Sequence, residues 1–166
     1  MVTISTHEIV RLNENDAAEI HELLKTVWSD TYRGLFPERV ILDAERSWHS
    51  TETLQRQMKS ATVLFAGYRE GGRILGMIRA AMADAETLRI FQLYVLPSEQ
   101  GRGIGRELMG YARESHPTAK RLVLNVAKGN DRAISFYAKY GFAFRKESSL
   151  KLGDYEIQEL EGTLDL

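Results

Sequence analysis

The sequence contains no cysteine, only three prolines, and no apolar run close to the roughly 18 residues that span a bilayer. The absence of cysteine excludes disulfides, thiol nucleophiles and Cys-ligated zinc. Neither sign of charge dominates, because 22 Lys and Arg stand against 23 Asp and Glu, a net charge of −1. Tight binding to a nucleic-acid backbone usually needs a basic excess. We therefore expect neither a nucleic-acid partner nor a membrane partner.

The composition is that of an average globular protein. The hydrophobic fraction is 43% and the charged fraction 27%, which argues against disordered, collagen-like and coiled-coil chains. A chain of 166 residues is long enough for one domain with its own core. No linker, repeat or low-complexity tract divides it, so a single domain over residues 1–166 is predicted. The first residues lack the pattern of a signal peptide, and we expect a cytoplasmic location.

The period of the hydrophobic pattern changes along the chain and predicts a mixed α/β fold. Residues 88–127 form a strand–helix–strand unit, which implies a parallel strand pair with a right-handed crossover. Hairpins on both sides of that unit imply antiparallel pairs. The predicted strands are 8–12, 61–68, 73–83, 88–96, 121–127 and two final strands at 142–150 and 155–166. The predicted helices are 16–29, a region at 38–59 of one or two helices, 104–115, and 131–140, which Gly141 closes.

The segment 100–105, with the sequence QGRGIG, lies at the start of the helix predicted for 104–115. Alternating glycines permit positive φ and close approach of a ligand. The first N–H groups of a helix lack intrahelical partners and lie at the positive end of its dipole. With Arg102 and Arg106 nearby, the segment predicts a cradle for phosphate groups. A glycine-rich turn without a ligand is the alternative.

Other phosphate and metal motifs fail on inspection. No Gly-Lys pair followed by Ser or Thr exists, so there is no Walker A motif. The Rossmann spacing fails because Arg106 stands where its third glycine is needed. A zinc HExxH helix would need histidine at position 25, which is Lys25. The four histidines show no ligand spacing, and no metal site is predicted.

Two linked motifs resemble the GNAT N-acetyltransferase superfamily. The first is LYVLPSEQGRGIGRELM at 93–109, a strand, a [QR]-x-x-G-x-[GA] segment and a helix. The second is LNVAKGNDRAISFYAKYGF at 124–142. The resemblance implies a GNAT fold of the α/β (α+β) class, a mixed and mostly antiparallel sheet flanked by helices, with a splayed central parallel strand pair. It also implies transfer of an acetyl group from acetyl-CoA to a primary amine.

The resemblance further implies how acetyl-CoA is bound. The main chains of Leu93 and Val95 would bind the pantetheine arm, and the amides at 101–106 the pyrophosphate. Asn130 would contact the cofactor through its side chain, although its position before a helix also suits an N-cap. The full implied set is Leu93, Tyr94, Val95, Gln100, Gly101, Arg102, Gly103, Ile104, Gly105, Arg106, Asn130 and Tyr137.

For catalysis, the resemblance implies that Tyr137 is the general acid toward the departing thiolate; a core aromatic is the alternative. Many family members carry a glutamate on the strand before LYV, but here the residue is Gln92, which cannot accept a proton. Asp84 and Glu86 are nearby and are interpreted as turn residues. No base is assigned, and deprotonation through water and backbone carbonyls or through a more distant carboxylate both remain open.

The acceptor site is expected at the end of the first long helix and the loop after it. Trp28, Tyr32 and Phe36 recur every four residues there, which suits either core packing or an acceptor pocket. The acceptor is expected to be a small-molecule amine. The alternatives are a protein N-terminal or lysine acetyltransferase with a peptide acceptor, and a non-catalytic acyl-CoA sensor or interaction module. We also expect a homodimer, paired through apolar residues of the final strands such as Tyr155, Ile157 and Leu160.

Overall fold

A computed structural model describes residues 6–166, and it contains the elements that the sequence pattern predicts in the predicted order. The region 38–59 forms two helices, and the first helix runs three residues beyond the predicted end. The strands are β1 His7–Arg11, β2 Leu64–Glu70, β3 Arg73–Met82, β4 Thr87–Val95, β5 Arg121–Ala127, β6 Ala143–Leu152 and β7 Tyr155–Asp165. The helices are α1 Ala17–Tyr32, α2 Glu38–Ser47, α3 Thr51–Met58, α4 Ile104–Glu114 and α5 Asp131–Tyr140.

The seven strands form one sheet in the order β1-β2-β3-β4-β5-β7-β6. Every neighbouring pair is antiparallel except β4 and β5, which are parallel. The β4–β5 pairing runs from Thr87↔Arg121 to Ile90↔Leu124 and stops there, although both strands continue. The central pair therefore separates toward its carboxyl ends, which confirms the splayed parallel pair.

A β-bulge in β4 lies where the two central strands begin to separate. The register with β3 passes from Ala80↔Ile90 to Arg79↔Gln92, so Phe91 is an additional residue on β4. A bulge bends its strand and increases the local twist. Here it carries the upper half of β4 away from β5 and leaves Phe91 45% exposed.

Helices cover both faces of the sheet. On one face, α4 and α5 pack on a core that includes the fully buried Leu108 and Met109. On the other face, α1 and α3 pack on β2 and β3 around Leu24 and Leu54. Full burial of each such side chain stabilises the fold by about 1.5–3 kcal/mol. No helix in residues 6–166 is both long enough and apolar enough to cross a membrane.

The sheet order corrects one expectation about the final strands. Strand β7 lies between β5 and β6, so Tyr155, Ile157 and Leu160 are not on an edge of the sheet. Ile157 is 3% exposed and packs in the core. Within the described chain the edges are β1 and β6, and β6 carries the charged run RKE at 145–147, which discourages edge pairing. The expectation that two copies pair edge to edge through β7 is therefore wrong, while the homodimer itself stays a prediction.

His49 is the one buried polar or charged residue of the described chain, at 2% exposure between α2 and α3. Its ring meets the edge of Trp28 at 5.1 Å between centroids. Its carbonyl oxygen lies 2.6 Å from Nδ1 of His21. Burial, followed by the nearby charges of Arg79 and His21, lowers the pKa of His49 from 6.5 to about 4. His49 is therefore neutral at pH 7.

We predict that His49 makes folding stability pH-dependent in a defined window. The unfolded chain binds a proton at His49 below about pH 6.5, whereas the folded chain resists protonation down to about 4. The free energy of unfolding is therefore unaffected by protonation of His49 above about pH 6.5, falls as pH drops toward 4, and has lost the whole contribution below about 4. The free energy lost across this window is about 3 kcal/mol, at ~1.4 kcal/mol per pKa unit.

Urea unfolding of wild type and His49→Gln at pH 7 and at about pH 4.5 measures this difference. The wild type should lose more free energy of unfolding between the two pH values than His49→Gln, while His116→Gln, outside the core, should behave as wild type. Equal losses in wild type and His49→Gln would show that His49 is protonated in the folded state.

Candidate functional site

A continuous cleft of about 1630 Å³ opens where β4 and β5 separate. Residues from both faces of the sheet line it. The loop 100–106 and α5 form one side, and α1, β5 and β7 form the other. Pockets for one small ligand usually measure about 300–1,000 Å³. The cleft is therefore large enough for two reactants that meet in the middle of the sheet.

The loop at the amino end of α4 has the geometry of an anion cradle. Gly101 and Gly103 adopt φ of 84° and 85°, a left-handed conformation that favours glycine. The helical ladder begins with the N–H of Glu107, which donates to the Gly103 carbonyl at 3.0 Å. Within residues 6–166, none of the six amides at 101–106 has a hydrogen-bond acceptor. These donors lie at the positive end of the α4 dipole and suit a phosphate group.

Gly105 and Ile104 hold this loop against the core. A Cβ at Gly105 would lie 3.1 Å from Cζ of Phe136, so glycine permits the close approach of α4 and α5. The Ile104 side chain is 2% exposed and belongs to the core. Of these two predicted cofactor-binding residues, only the main chains are available to a ligand.

The structure corrects the expectation that Arg102 supplies free positive charge to the cradle. Its guanidinium donates to both carboxylate oxygens of Glu70, at 2.9 and 3.1 Å, and to Glu99. These bonds raise the pKa of Arg102 and hold the loop against β2. The Arg106 side chain lines the cleft, with its guanidinium carbon 5.1 Å from the centroid of the Tyr140 ring.

The upper half of β4 turns unpaired peptide groups toward the cleft. The N–H of Leu96 donates to the Leu75 carbonyl of β3 at 2.9 Å. Hydrogen-bonded pairs alternate along an antiparallel ladder, so Tyr94 also bonds to β3, whereas Leu93 and Val95 point their N–H and C=O groups toward β5. Because β5 has already separated, these groups face the opening. The side chains of Leu93 and Val95 pack in the core.

Gln100 fastens the cradle to β4. Its Nε2 donates to the Val95 carbonyl at 3.1 Å, and its Oε1 accepts from the Arg132 guanidinium of α5. The Val95 carbonyl is therefore occupied, and the peptide groups of Leu93 remain for a ligand. Tyr94 contributes its side chain to the opposite face of the sheet rather than its main chain.

Three tyrosines meet at the centre of the cleft. Tyr137 is 8% exposed, and burial, with a smaller effect of Tyr94, raises its pKa. The Tyr94 hydroxyl accepts from Nε1 of Trp28 at 3.2 Å, and burial raises the pKa of Tyr94 as well. Burial also raises the pKa of Tyr32. All three phenols are neutral at pH 7 and can donate a proton.

Trp28, Tyr32 and Phe36 form an aromatic cluster that packs together and also lines the cleft. Tyr32 and Phe36 stack at 4.6 Å between centroids, and Trp28 lies 4.6 Å from Tyr32. Trp28 and Tyr32 are each 5% exposed and belong to the core, yet all three line the cleft. Asn130 likewise combines two positions, because its Oδ1 accepts from the Ala133 N–H at 3.3 Å as an N-cap and its side chain lies beside Tyr32.

Glu159 on β7 lines the cleft and was not identified from the sequence. It lies opposite Ala127 of β5 and Ser148 of β6. Burial raises its pKa, an effect that Arg89 partly offsets. Alternation along β7 places Ile157, Glu159 and Glu161 on one face, but only the sheet order shows that this face borders the cleft. Without the sheet order, the alternation along β7 could not show that Glu159 borders the cleft.

Gln92 occupies the place where many family members carry a glutamate. Its Oε1 accepts from Nε of Arg79 at 2.9 Å, and its Nε2 lies 3.5 Å from Nε2 of His49. A carboxylate at this position would pair with Arg79 and lose basicity. Asp84 is a turn residue as expected, because its Oδ1 accepts from the N–H groups of Glu86 and Thr87. Residues 6–166 contain no cluster of three or more side chains suited to a metal ion.

The family model of the acetyltransferase (GNAT) family matches residues 17–142. Spermidine N(1)-acetyltransferase of Thermoplasma acidophilum is 28% identical over 81% of this chain and 87% of its own length. The peptidyl-lysine N-acetyltransferase YiaC of Escherichia coli is 32% identical over 57% of this chain and 60% of its own. Some curated relatives match over a small part of their length, down to 22% for a Bacillus subtilis protein.

The crystal structure of the PaiA N-acetyltransferase of Thermoplasma acidophilum in complex with coenzyme A superposes with a TM-score of 0.82. It is 23% identical, and the match covers 94% of this chain and 98% of that one. The architecture, the two linked motifs and the family-model match over residues 17–142 all indicate the same family. The chain belongs to the GNAT acetyltransferase family.

Proposed function

We propose that this acetyltransferase moves the acetyl group of acetyl-CoA to a primary amine of a small molecule. One observation carries the proposal. Amides without acceptors at Gly101 and at residues 103–106, and the unpaired peptide groups of Leu93, border the same cleft. The first set suits the pyrophosphate of coenzyme A, and the second suits the amides of its pantetheine arm. A screen of coenzyme A release with amine and peptide panels tests the proposal; binding without release would favour the sensor alternative.

The reaction removes two protons from the amine nitrogen and adds one proton to the sulfur. A lysine-type amine titrates near 10.4, so it must lose a proton before its nitrogen attacks the thioester carbonyl. The carbon–nitrogen bond then forms, the carbon–sulfur bond breaks, the nitrogen loses its second proton to water, and the departing sulfur takes a proton. Tyr137, neutral and facing the cleft, is the proposed donor to that sulfur.

Glu159 is the proposed proton acceptor for the amine, directly or through a water molecule. It is half-buried in the cleft wall and forms no ion pair with another described residue. Its raised pKa makes it a stronger base than an exposed carboxylate. It also lies close enough to Tyr32 and Tyr94 to raise their pKa values, which places it near the tyrosine cluster.

A protein acceptor is the second candidate, and exposed apolar residues at the cleft favour it. Phe91 is 45% and Leu150 is 42% exposed, and both line the cleft. Such residues could contact a peptide on either side of the acetylated amine. Turnover of a lysine or N-terminal peptide above that of every free amine would establish this candidate instead.

We predict that Gly103→Asp lowers the affinity for acetyl-CoA at least tenfold, because its carboxylate would repel the pyrophosphate. Gly153→Asp is the matched control, since both glycines have positive φ and no atom within 4 Å of a built Cβ. Both variants should lose a similar ~1–2 kcal/mol of stability from left-handed strain. Calorimetric titration of the two folded variants compares them, and equal affinities would refute the cradle.

For Tyr137→Phe we expect kcat to fall by about 10²–10⁴-fold, the usual contribution of a general acid. The ring and its packing remain, so the dissociation constant of acetyl-CoA should change less than about tenfold. Tyr140→Phe on the same helix is the control, because the Tyr140 hydroxyl faces Arg113 rather than the tyrosine cluster. Unchanged turnover in Tyr137→Phe would remove it as the acid, and lost cofactor binding alone would make it a binding residue.

Glu159→Gln should lower kcat/KM by about 10²-fold or more if Glu159 accepts the proton. Protonation of Glu159 should also steepen the fall of wild-type kcat/KM at acidic pH, and that steepening should disappear in the variant. Because burial raises its pKa, the extra fall should begin at higher pH than for an exposed glutamate. Glu156→Gln, exposed on the same strand, is the control. A pH profile of Glu159→Gln identical to wild type would contradict the assignment.

A further inference from the structure

Arg79 is a half-buried cation in the wall of the acceptor side of the cleft, and its charge is not balanced by a carboxylate. Its Nε donates to Oε1 of Gln92 at 2.9 Å, and its guanidinium carbon lies 4.9 Å from the centroid of the Phe91 ring. Among residues 6–166 it forms no ion pair. Two of its three guanidinium nitrogens therefore have no described partner.

The groups around Arg79 are neutral at pH 7. Gln92 carries no charge, and His49 behind it has its pKa lowered to about 4. Burial raises the pKa of Tyr94, which lies close enough to Arg79 to affect the pKa of that arginine. Burial lowers the pKa of Arg79 itself, which reflects the cost of removing a cation from water. Buried charges are normally paired, so this end of the cleft lacks an anion.

Arg89 adds a second positive charge on the same side of the sheet. Its guanidinium donates to Oδ1 of Asn125 at 2.9 Å, and Nδ2 of Asn125 donates to Oγ of Ser148 at 2.7 Å. This chain of hydrogen bonds crosses from β4 to β6 and fixes the arginine in the cleft wall. Glu159 lies beyond it, near Arg89. Positive charge thus lies toward β3 and β4, and negative charge toward β7.

We propose that Arg79 binds a carboxylate of the acceptor, so that the acceptor is an amino acid or a similar small amine with a carboxylate, rather than a polyamine. This inference rests on the proposed function. A planar guanidinium with free N–H groups matches a carboxylate in geometry and charge. A linear polyamine would instead bring an ammonium group against Arg79.

The spacing along β4 limits the size of the acceptor. Gln92, level with Arg79, lies two residues from Tyr94, which is about 7 Å along a strand. The peptide groups of Leu93, proposed to hold the thioester arm, lie between them. A carboxylate bound to Arg79 can therefore be only a few covalent bonds away from the reacting nitrogen of the same acceptor. Glu159 faces that nitrogen from the opposite wall of the cleft.

Matched pairs of amines test the inference, each pair being an amino acid and its decarboxylated product. The pairs are L-leucine and isoamylamine, L-ornithine and putrescine, and β-alanine and ethylamine, with spermidine as a further probe. We expect the wild type to acetylate at least one amino acid with kcat/KM at least 100-fold above its decarboxylated product. In Arg79→Gln that preference should fall at least tenfold, mainly through KM, while the decarboxylated amine reacts within threefold of wild type.

Arg73→Gln, exposed at the start of β3 and away from the cleft, is the matched control and should retain the preference. Calorimetric titration with acetyl-CoA should give Arg79→Gln the wild-type affinity within threefold, which shows that the variant is folded. The inference would be overturned if the wild type acetylated spermidine or ethylamine as fast as every amino acid, and if Arg79→Gln did the same. The proposed function would then remain intact.

Absence of turnover with every probe would instead contradict the proposed function. The carboxylate site is then decided by titrating the same three amino acids into the coenzyme A-saturated protein. Binding at least tenfold weaker in Arg79→Gln than in wild type and Arg73→Gln would support the site. Equal binding, or no binding of any of the three to wild type, would overturn it.

Discussion

Hydrogen bonding between β4 and β5 ends at Ile90↔Leu124, and this early end creates the opening that every part of the candidate site borders. A sheet that continued to pair would satisfy its own peptide groups and leave no opening. The bulge at Phe91 turns β4 away, and the peptide groups of Leu93 are left without a strand partner. The α4 cradle, the α5 tyrosine and the acceptor wall all border the gap that results.

The charges around the gap divide it into distinct regions. Unpaired amides lie at the phosphate end. Glu70 and Glu99 neutralise Arg102 there, so the positive charge comes from Arg106, Arg132 and the helix dipole. Neutral phenols occupy the centre. On the acceptor side, Arg79 and Glu159 face the cleft from opposite walls. A zwitterionic acceptor would satisfy both groups at once, whereas a uniformly cationic one would satisfy only the glutamate.

Local sequence patterns predicted the order of strands and helical regions, the parallel pair and the glycine loop, because each depends on residues close together in the chain. They left open whether residues 38–59 form one helix or two. Long-range pairing was not predictable in this way. Because β7 lies between β5 and β6, Ile157 packs in the core rather than at an edge of the sheet, and Glu159 borders the cleft. The pairing of Arg102 with Glu70, 32 residues away, and of Arg79 with Gln92 across a bulge likewise requires the folded register.

Amide hydrogen exchange, measured by NMR with and without saturating acetyl-CoA, tests whether the cofactor occupies both the gap between β4 and β5 and the α4 cradle. The amides of Leu93 and of residues 101–106, which lack acceptors in the described chain, should gain protection when acetyl-CoA binds. The Tyr94 amide, already paired with β3, should change little. Binding of acetyl-CoA without added protection at Leu93 and the 101–106 amides would show that the cofactor binds elsewhere.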